Sequence, residues 1–174
     1  MSPTQVIDQS MTQVRARAAM IIAMVVLLDR LTKWVIRAQL SLMDIHTVIP
    51  GVFNIVHTEN PGAAFGLLSE SHSPWRSFLL MGVSAVVMSV IAAMLWKPGR
   101  GGISASTLLH WGLALVFGGA LGNVWDRVSR GTVTDFLQFF VGPYEFPSFN
   151  AADSAITLGA ALLLLDLWRT RHHE

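Results

Sequence analysis

Apolar positions gather in four long blocks, at about 18–38, 75–96, 107–125 and 151–168, separated by polar or turn-forming stretches. A helix that crosses a bilayer needs about 20 mainly apolar residues, so each block predicts a transmembrane helix. The first block follows Arg15 and Arg17, as a secretory leader would, but it runs into Asp29-Arg30-Leu31-Thr32-Lys33 without a small-x-small cleavage site. It therefore predicts an uncleaved helix. Trp34, Trp75, Trp96, Trp111, Trp125 and Trp168 all stand near block ends. An indole is apolar with one N–H, and it favours the membrane–water boundary.

The connection Lys97-Pro98-Gly99-Arg100 is a short turn, whereas the connections at about 39–74 and 126–150 are long and fall on the opposite side. Thr47 to Thr58 contains the β-branched and aromatic run Val-Phe-Asn-Ile-Val-His-Thr and predicts a strand, with Thr132 to Val141 a second extended segment. The fold class expected is an α-helical membrane protein: one domain over 1–174, four transmembrane helices and a small outer β-structure. Lys and Arg divide equally between the two sides. Yet the connection from Gln39 to Pro74 has none and the short turn has two, so both termini are expected in the cytoplasm.

Composition agrees with a membrane protein. Of 174 residues, 52% are hydrophobic and 13% charged, against about 25% charged in soluble domains. The net charge of +1, without a basic run, gives no reason to expect nucleic acid as a partner. The absence of cysteine excludes disulfides, thiol catalysis, zinc–thiolate sites and iron–sulfur clusters. His46, His57, His72, His110, His172 and His173 lack ligand spacing, so no metal site is expected.

A charged group at membrane depth costs about 2.5–3.5 kcal/mol on insertion scales, and here such residues concentrate toward the outer side. Asp29 and Lys33, four apart, share a helix face and can pair. Asn60-Pro61-Gly62-Ala63-Ala64-Phe65 reads as a turn, or as a place where an Asn side chain and small residues let a peptide approach. Gly118 and Gly122 form a G-x-x-x-G pattern for close helix contact. Asn123, Asp126 and Arg127 follow, with Asn123 and Arg127 on one helical face. Asn150 is a good N-cap and puts Asp153 in the first turn of the fourth helix. Singly, Asp153 reads as a helix-dipole carboxylate and Asp135 as a loop acid. As a pair on one membrane face, flanked by apolar residues, they would share a proton and could serve as acid and base. Peptide hydrolysis needs that combination.

Five motifs in this order resemble those of the bacterial lipoprotein signal peptidases, or signal peptidases II. They are Asp29 to Lys33, Asn60 to Phe65, Gly118 to Arg127, Val133-Thr134-Asp135-Phe136 and Phe149-Asn150-Ala151-Ala152-Asp153-Ser154. The resemblance covers nearly the whole chain. It implies an aspartic membrane endopeptidase, sensitive to globomycin, with Asp135 and Asp153 as the catalytic dyad. Asn60, Gly62, Asn123, Arg127, Asn150 and Ala152 would shape the site and hold substrate, supported by Asp29, Lys33 and Asp126. It also implies a periplasmic β-cradle, a location in the cytoplasmic (inner) membrane and an active site on the periplasmic side. The substrate would be a prolipoprotein, cut before its diacylglyceryl cysteine. No metal or organic cofactor would be required, membrane lipids would be the other partner, and the chain would be a monomer. Arg30 departs from the family, which usually has glutamine there. A small transporter or channel subunit is the alternative that intramembrane charge allows, with Asp166 the one acid near the opposite end of the fourth helix. A presenilin-like protease is disfavoured because Gly-x-Gly-Asp is absent.

Overall fold

The computed structural model describes residues 3–62, 75–96 and 106–171. In chain order the elements are α1 (Pro3–Gln39), β1 (Ile45–Ile49), β2 (Phe53–Asn60), α2 (Trp75–Trp96), α3 (Thr107–Arg130), β3 (Val133–Val141), β4 (Tyr144–Glu145) and α4 (Ala151–Arg171). The turn Lys97 to Arg100, residues Ala63 to Phe65, His72, His172, His173 and the Trp75 side chain lie outside the described residues.

Helix α3 is the hub and packs against α1, α2 and α4. Its small residues make this possible. A Cβ on Gly118 would meet Val25 of α1 at 3.0 Å, and one on Gly159 of α4 would meet the Gly112 carbonyl at 2.7 Å. Gly118, with Gly122, thus serves the close contact expected of the G-x-x-x-G pattern, against α1, while Gly119 faces Ala152 and Ile156 of α4.

Among the described residues three helical segments are long and apolar enough to cross a membrane: Leu79–Trp96, Thr107–Arg130 and Ala151–Arg171. Helix α1 falls outside this set, with Asp29, Arg30, Lys33 and Arg37 in its final turns. Outward-facing residues of α2 and α4, such as Val83, Val86, Leu158 and Leu164, are more than half exposed. In water such a surface would drive association; hydrocarbon solvates it. Trp34, Trp96, Trp111, Trp125 and Trp168 are all exposed as well.

Three elements run beyond their predicted limits. Helix α1 begins at Pro3, a residue suited to the first helical position. Helix α4 runs to Arg171. Helix α3 continues past Trp125 to Arg130, so Asp126 and Arg127 are helical rather than part of the outer connection. It stops at Gly131, whose φ of 81° is left-handed and whose N–H bonds the Arg127 carbonyl. The predicted single strand from Thr47 to Thr58 is instead a hairpin, β1 and β2, turning at Pro50-Gly51 where Gly51 takes φ 72°. The four strands form one antiparallel sheet in the order β1-β2-β3-β4.

Two features of this sheet position the site. Thr58 pairs with Asp135, so Asn60 lies diagonally across from Asp135. Phe149 then bridges Leu137, through Phe149 N–H to the Leu137 carbonyl at 3.0 Å and Leu137 N–H to the Phe149 carbonyl at 2.8 Å. That bridge, with Phe139 stacked between Phe53 and Phe149, fastens the start of α4 to β3.

Gly159→Ala should lower the melting temperature in detergent, because overpacking costs about 1–3 kcal/mol. Gly82→Ala, where a Cβ meets nothing within 4 Å, should leave it unchanged or slightly raised.

Candidate active site

Asn150 caps α4. Its Oδ1 accepts the Asp153 N–H at 3.0 Å, and the Asp153 carboxylate accepts the Asn150 N–H at 3.2 Å. This reciprocal capping box fixes Asp153 in the first turn. The Asn150 amide nitrogen is then free to donate to Asp135 Oδ1 at 2.7 Å. One residue thus bonds both carboxylates.

Two more asparagines are oriented by what their oxygens accept. Asn60 Oδ1 takes the Gly62 N–H at 2.8 Å, which turns its amide nitrogen to Asp135 Oδ2 at 3.0 Å. Asn123 Oδ1 takes Lys33 Nζ at 3.1 Å and the Asn150 amide at 3.2 Å, which turns its own nitrogen to Asp153 Oδ1 at 2.8 Å. Each amide orientation follows from a donor that can only donate: a backbone N–H or an ammonium. Arg127 donates to the Gly62 carbonyl at 3.1 Å and ties the turn after β2 to α3.

Behind Asn123 lies a buried ion cluster. Lys33 Nζ is 2.9 Å from both Asp29 and Asp126, and all three side chains are fully buried. Arg30, 21% exposed, is 3.0 Å from Asp29 and 2.7 Å from Asp126. Two anions therefore face two cations at close range, with Arg37 a third at 3.9 Å from Asp126. The remaining Asp29 capacity goes to α4, where Oδ1 accepts the Ala152 N–H at 3.2 Å. The acid sits at a helix N-terminus, where the dipole favours negative charge. A Cβ on Gly122 would lie 2.7 Å from Asp29 Oδ2, so Gly122 makes room for the cluster.

Asp135 and Asp153 line one cavity of about 530 Å³, with Asn60, Asn123 and Arg127 around them. Its remaining wall includes Phe149, Thr157 and Leu158. Burial pushes the Asp135 carboxyl up to about 7, the negative charge of Asp153 pushes the same way, and the hydrogen bonds from Asn60 and Asn150 only partly oppose this. In the sheet, burial works against the charge of Glu59. Hydrogen bonds from Thr132, Thr134 and His57 outweigh it and hold that carboxyl below the usual carboxylate range.

The sequence-derived residues thus meet around one cavity and its support. Asp135, Asp153, Asn60, Asn123 and Arg127 line the cavity; Gly62, Asn150, Ala152, Asp29, Lys33 and Asp126 bond or pair with neighbours that shape it. Asp166 stands apart, bonded by Ser106, the N-cap of α3. Sequence reasoning missed Thr157 and Leu158 of the cavity wall, although they stand four and five residues after Asp153 on the same helix. It also missed the network in which Thr134 joins Glu59 at 2.8 Å to Arg37 at 2.9 Å, for no spacing rule connects three separate elements.

Asp126→Asn should cost about 3–5 kcal/mol, the range for breaking a buried pair, because it leaves Lys33 and Arg30 facing a single anion. Unfolding in detergent measures it. A second outcome concerns pH. Below 3.8 Asp135 is protonated folded or unfolded, and between there and about 7 only the folded chain keeps the proton. This contribution to stability is therefore lost as pH rises to about 7. Asp135→Asn does not titrate, so it should gain on the wild type across that window, by up to about 1.4 kcal/mol per pH unit.

Comparison with known proteins gives the family. The family model for signal peptidase (SPase) II matches residues 21–169. A lipoprotein signal peptidase of Solibacter usitatus (strain Ellin6076) is 45% identical over 161 residues, covering 92% of this chain and 96% of that one. A lipoprotein signal peptidase of Pseudomonas aeruginosa (strain UCBPP-PA14) is 41% identical over 152 residues, covering 87% of each. Among solved structures, a bacterial membrane enzyme determined by the in meso method at 2.3 Å superposes with a TM-score of 0.79 at 29% identity, covering 91% of this chain and 92% of that one. A second bacterial membrane enzyme, at 1.9 Å, gives 0.73 at 31% identity, covering 87% and 92%. With the family model spanning most of the chain and relatives matched nearly end to end, this protein belongs to the signal peptidase II family.

Proposed function

We propose that this chain is an aspartic endopeptidase of the bacterial cytoplasmic membrane that removes the signal peptide of diacylglyceryl-modified prolipoproteins by cutting before the lipidated cysteine. The observation that carries the proposal is Asn150, which hydrogen-bonds both Asp135 and Asp153 at one cavity. Family membership supplies the substrate class.

In the proposed reaction Asp153 is the ionised member. It sits at a helix start, which favours the anion. Asp135, raised by burial and by the Asp153 charge, holds the proton near neutral pH. A water between the two carboxyls loses a proton to Asp153 as its oxygen attacks the scissile carbonyl carbon. The carbonyl oxygen takes the proton of Asp135, giving a neutral tetrahedral diol. Collapse returns one hydroxyl proton to Asp135 and breaks the C–N bond. The departing amine of the cysteine takes the proton held by Asp153, and the dyad regains its starting state. Asn60 and Asn123 hold the two carboxyls from outside. The cavity wall of Phe149, Thr157 and Leu158 suits the apolar part of a signal helix or its lipid tails.

In this reading α1 is the fourth span. Its outer charges are matched within the protein, Asp29 and Asp126 against Arg30 and Lys33, which removes most of the cost of unpaired charge at that depth. Both termini are cytoplasmic, the site faces the periplasm, and the chain acts as a monomer.

Asp135→Asn and Asp153→Asn should each reduce processing of a lipid-modified prolipoprotein by about 10²-fold or more, the least expected when a general acid or base is lost. The unlipidated precursor should stay uncut and globomycin should block the wild type. Full cleavage by either variant would refute the dyad. Cleavage indifferent to both lipidation and globomycin would refute the function.

A further inference from the structure

A second cavity, of about 600 Å³, opens on the far side of α3. Trp125 and Ser129 border it, whereas Asn123 and Arg127 border the candidate active site. Each pair is offset from the other by two residues, about 200° around a helix. The second cavity is therefore separate from the first.

Its lining combines two chemistries. Arg30, Arg37 and Arg130 bring three guanidiniums to it from the ends of α1 and α3. Leu31, Trp34 and Trp125 form apolar borders, with the two indoles 64% and 57% exposed. Arg30 is engaged with Asp29 and Asp126, and Arg37 with Thr134 and, at 3.9 Å, with Asp126. Arg130 is exposed, and among the described residues no carboxylate lies within ion-pair distance of it. The charges of Arg130 and Arg30 oppose that of Arg37, whereas those of Asp126 and Glu59 favour it. Cations in a last turn gain from the helix dipole, which accounts for Arg37 and Arg130 one at a time. It does not account for their converging from two helices on one hollow, where they repel. An anion placed between them would relieve that repulsion. Arg30 Nε is also buried without a hydrogen-bond partner.

We propose that this cavity binds the headgroup of an anionic phospholipid, its phosphate held by Arg130 and Arg37 and its acyl chains descending past Leu31 and Trp34. Exposed tryptophans beside a basic hollow at helix ends match the level at which headgroups lie. The planar guanidinium forks suit phosphate oxygens. A zwitterionic lipid offers the same phosphate but adds a cation to three arginines, so it binds less well. The proposal rests on the membrane reading and is independent of the catalytic dyad.

The test is native mass spectrometry of the full-length detergent-purified protein offered phosphatidylglycerol, phosphatidylcholine or inorganic phosphate, with helical content checked by circular dichroism. The wild type should retain phosphatidylglycerol in preference to phosphatidylcholine. Arg130→Gln should reduce that retention about fivefold, as expected for one basic side chain near a membrane surface, and Arg130→Lys should largely preserve it. Ser129→Phe fills the hollow without changing charge and should abolish retention, which keeps the proposal testable if Arg130→Gln folds poorly. Equal retention of the two lipids, or unchanged retention in both Arg130→Gln and Ser129→Phe, would overturn the proposal. Displacement of the lipid by millimolar inorganic phosphate would reassign the cavity to a free anion and overturn it too.

Discussion

Charge balance among Asp29, Arg30, Lys33 and Asp126 is the constraint on which the rest of this structure depends. The cluster lies where α1 and α3 meet and reaches α4 through the Ala152 N–H. Buried ions demand partners with good geometry, because the loss of one leaves another uncompensated in a dry place. Two acids and two close bases meet that demand here, with Arg37 farther off beside Asp126. Neither Asp126 oxygen makes a well-aligned hydrogen bond, so ion pairing at 2.7 and 2.9 Å is what holds this side chain. Arg30 supplies the second close cation.

The cluster also carries orientation into the neighbouring cavity. Lys33 has no acceptor capacity, so its contact with Asn123 sets which end of that amide meets Asp153. Among the described residues helix α1 contributes no side chain to the cavity lining, yet it determines a hydrogen bond there. The same logic runs through Asn60 and Gly62, and through Asn150 and the α4 backbone. Three amides are each held by a donor that cannot reverse, and the two acids of the proposed dyad receive their hydrogen bonds from fixed directions. Preorganisation of this kind avoids reorganisation during reaction.

The sheet and the bundle divide the work. The sheet carries Asp135 and Asn60 on neighbouring strands, and the bundle carries Asp153 and Asn123. The Phe149–Leu137 bridge joins the two, and the stack of Phe53, Phe139 and Phe149 stiffens that joint. Aromatic pairs of this geometry add about 0.5–1.5 kcal/mol beyond their buried area.

The sequence by itself determined the apolar blocks, the boundary tryptophans, the capping of α4 by Asn150 and the motif residues around the site. These are local properties: run length, side-chain type and spacing along one helix. It also made Asp29 and Lys33 partners, because four residues close one turn. Only the tertiary structure decided that Asp126 completes that pair, since α3 must continue past Trp125 before its carboxylate can face Lys33. By sequence alone the hairpin of β1 and β2 reads as one strand, because Pro50-Gly51 sits inside a run of strand-forming residues. The links from Thr134 to Glu59 and Arg37, and the placing of Arg30, Arg37 and Arg130 around a second hollow, depend on how helices and sheet dock. Docking is governed by side-chain volume and charge summed over several elements, and no single stretch of chain records that sum.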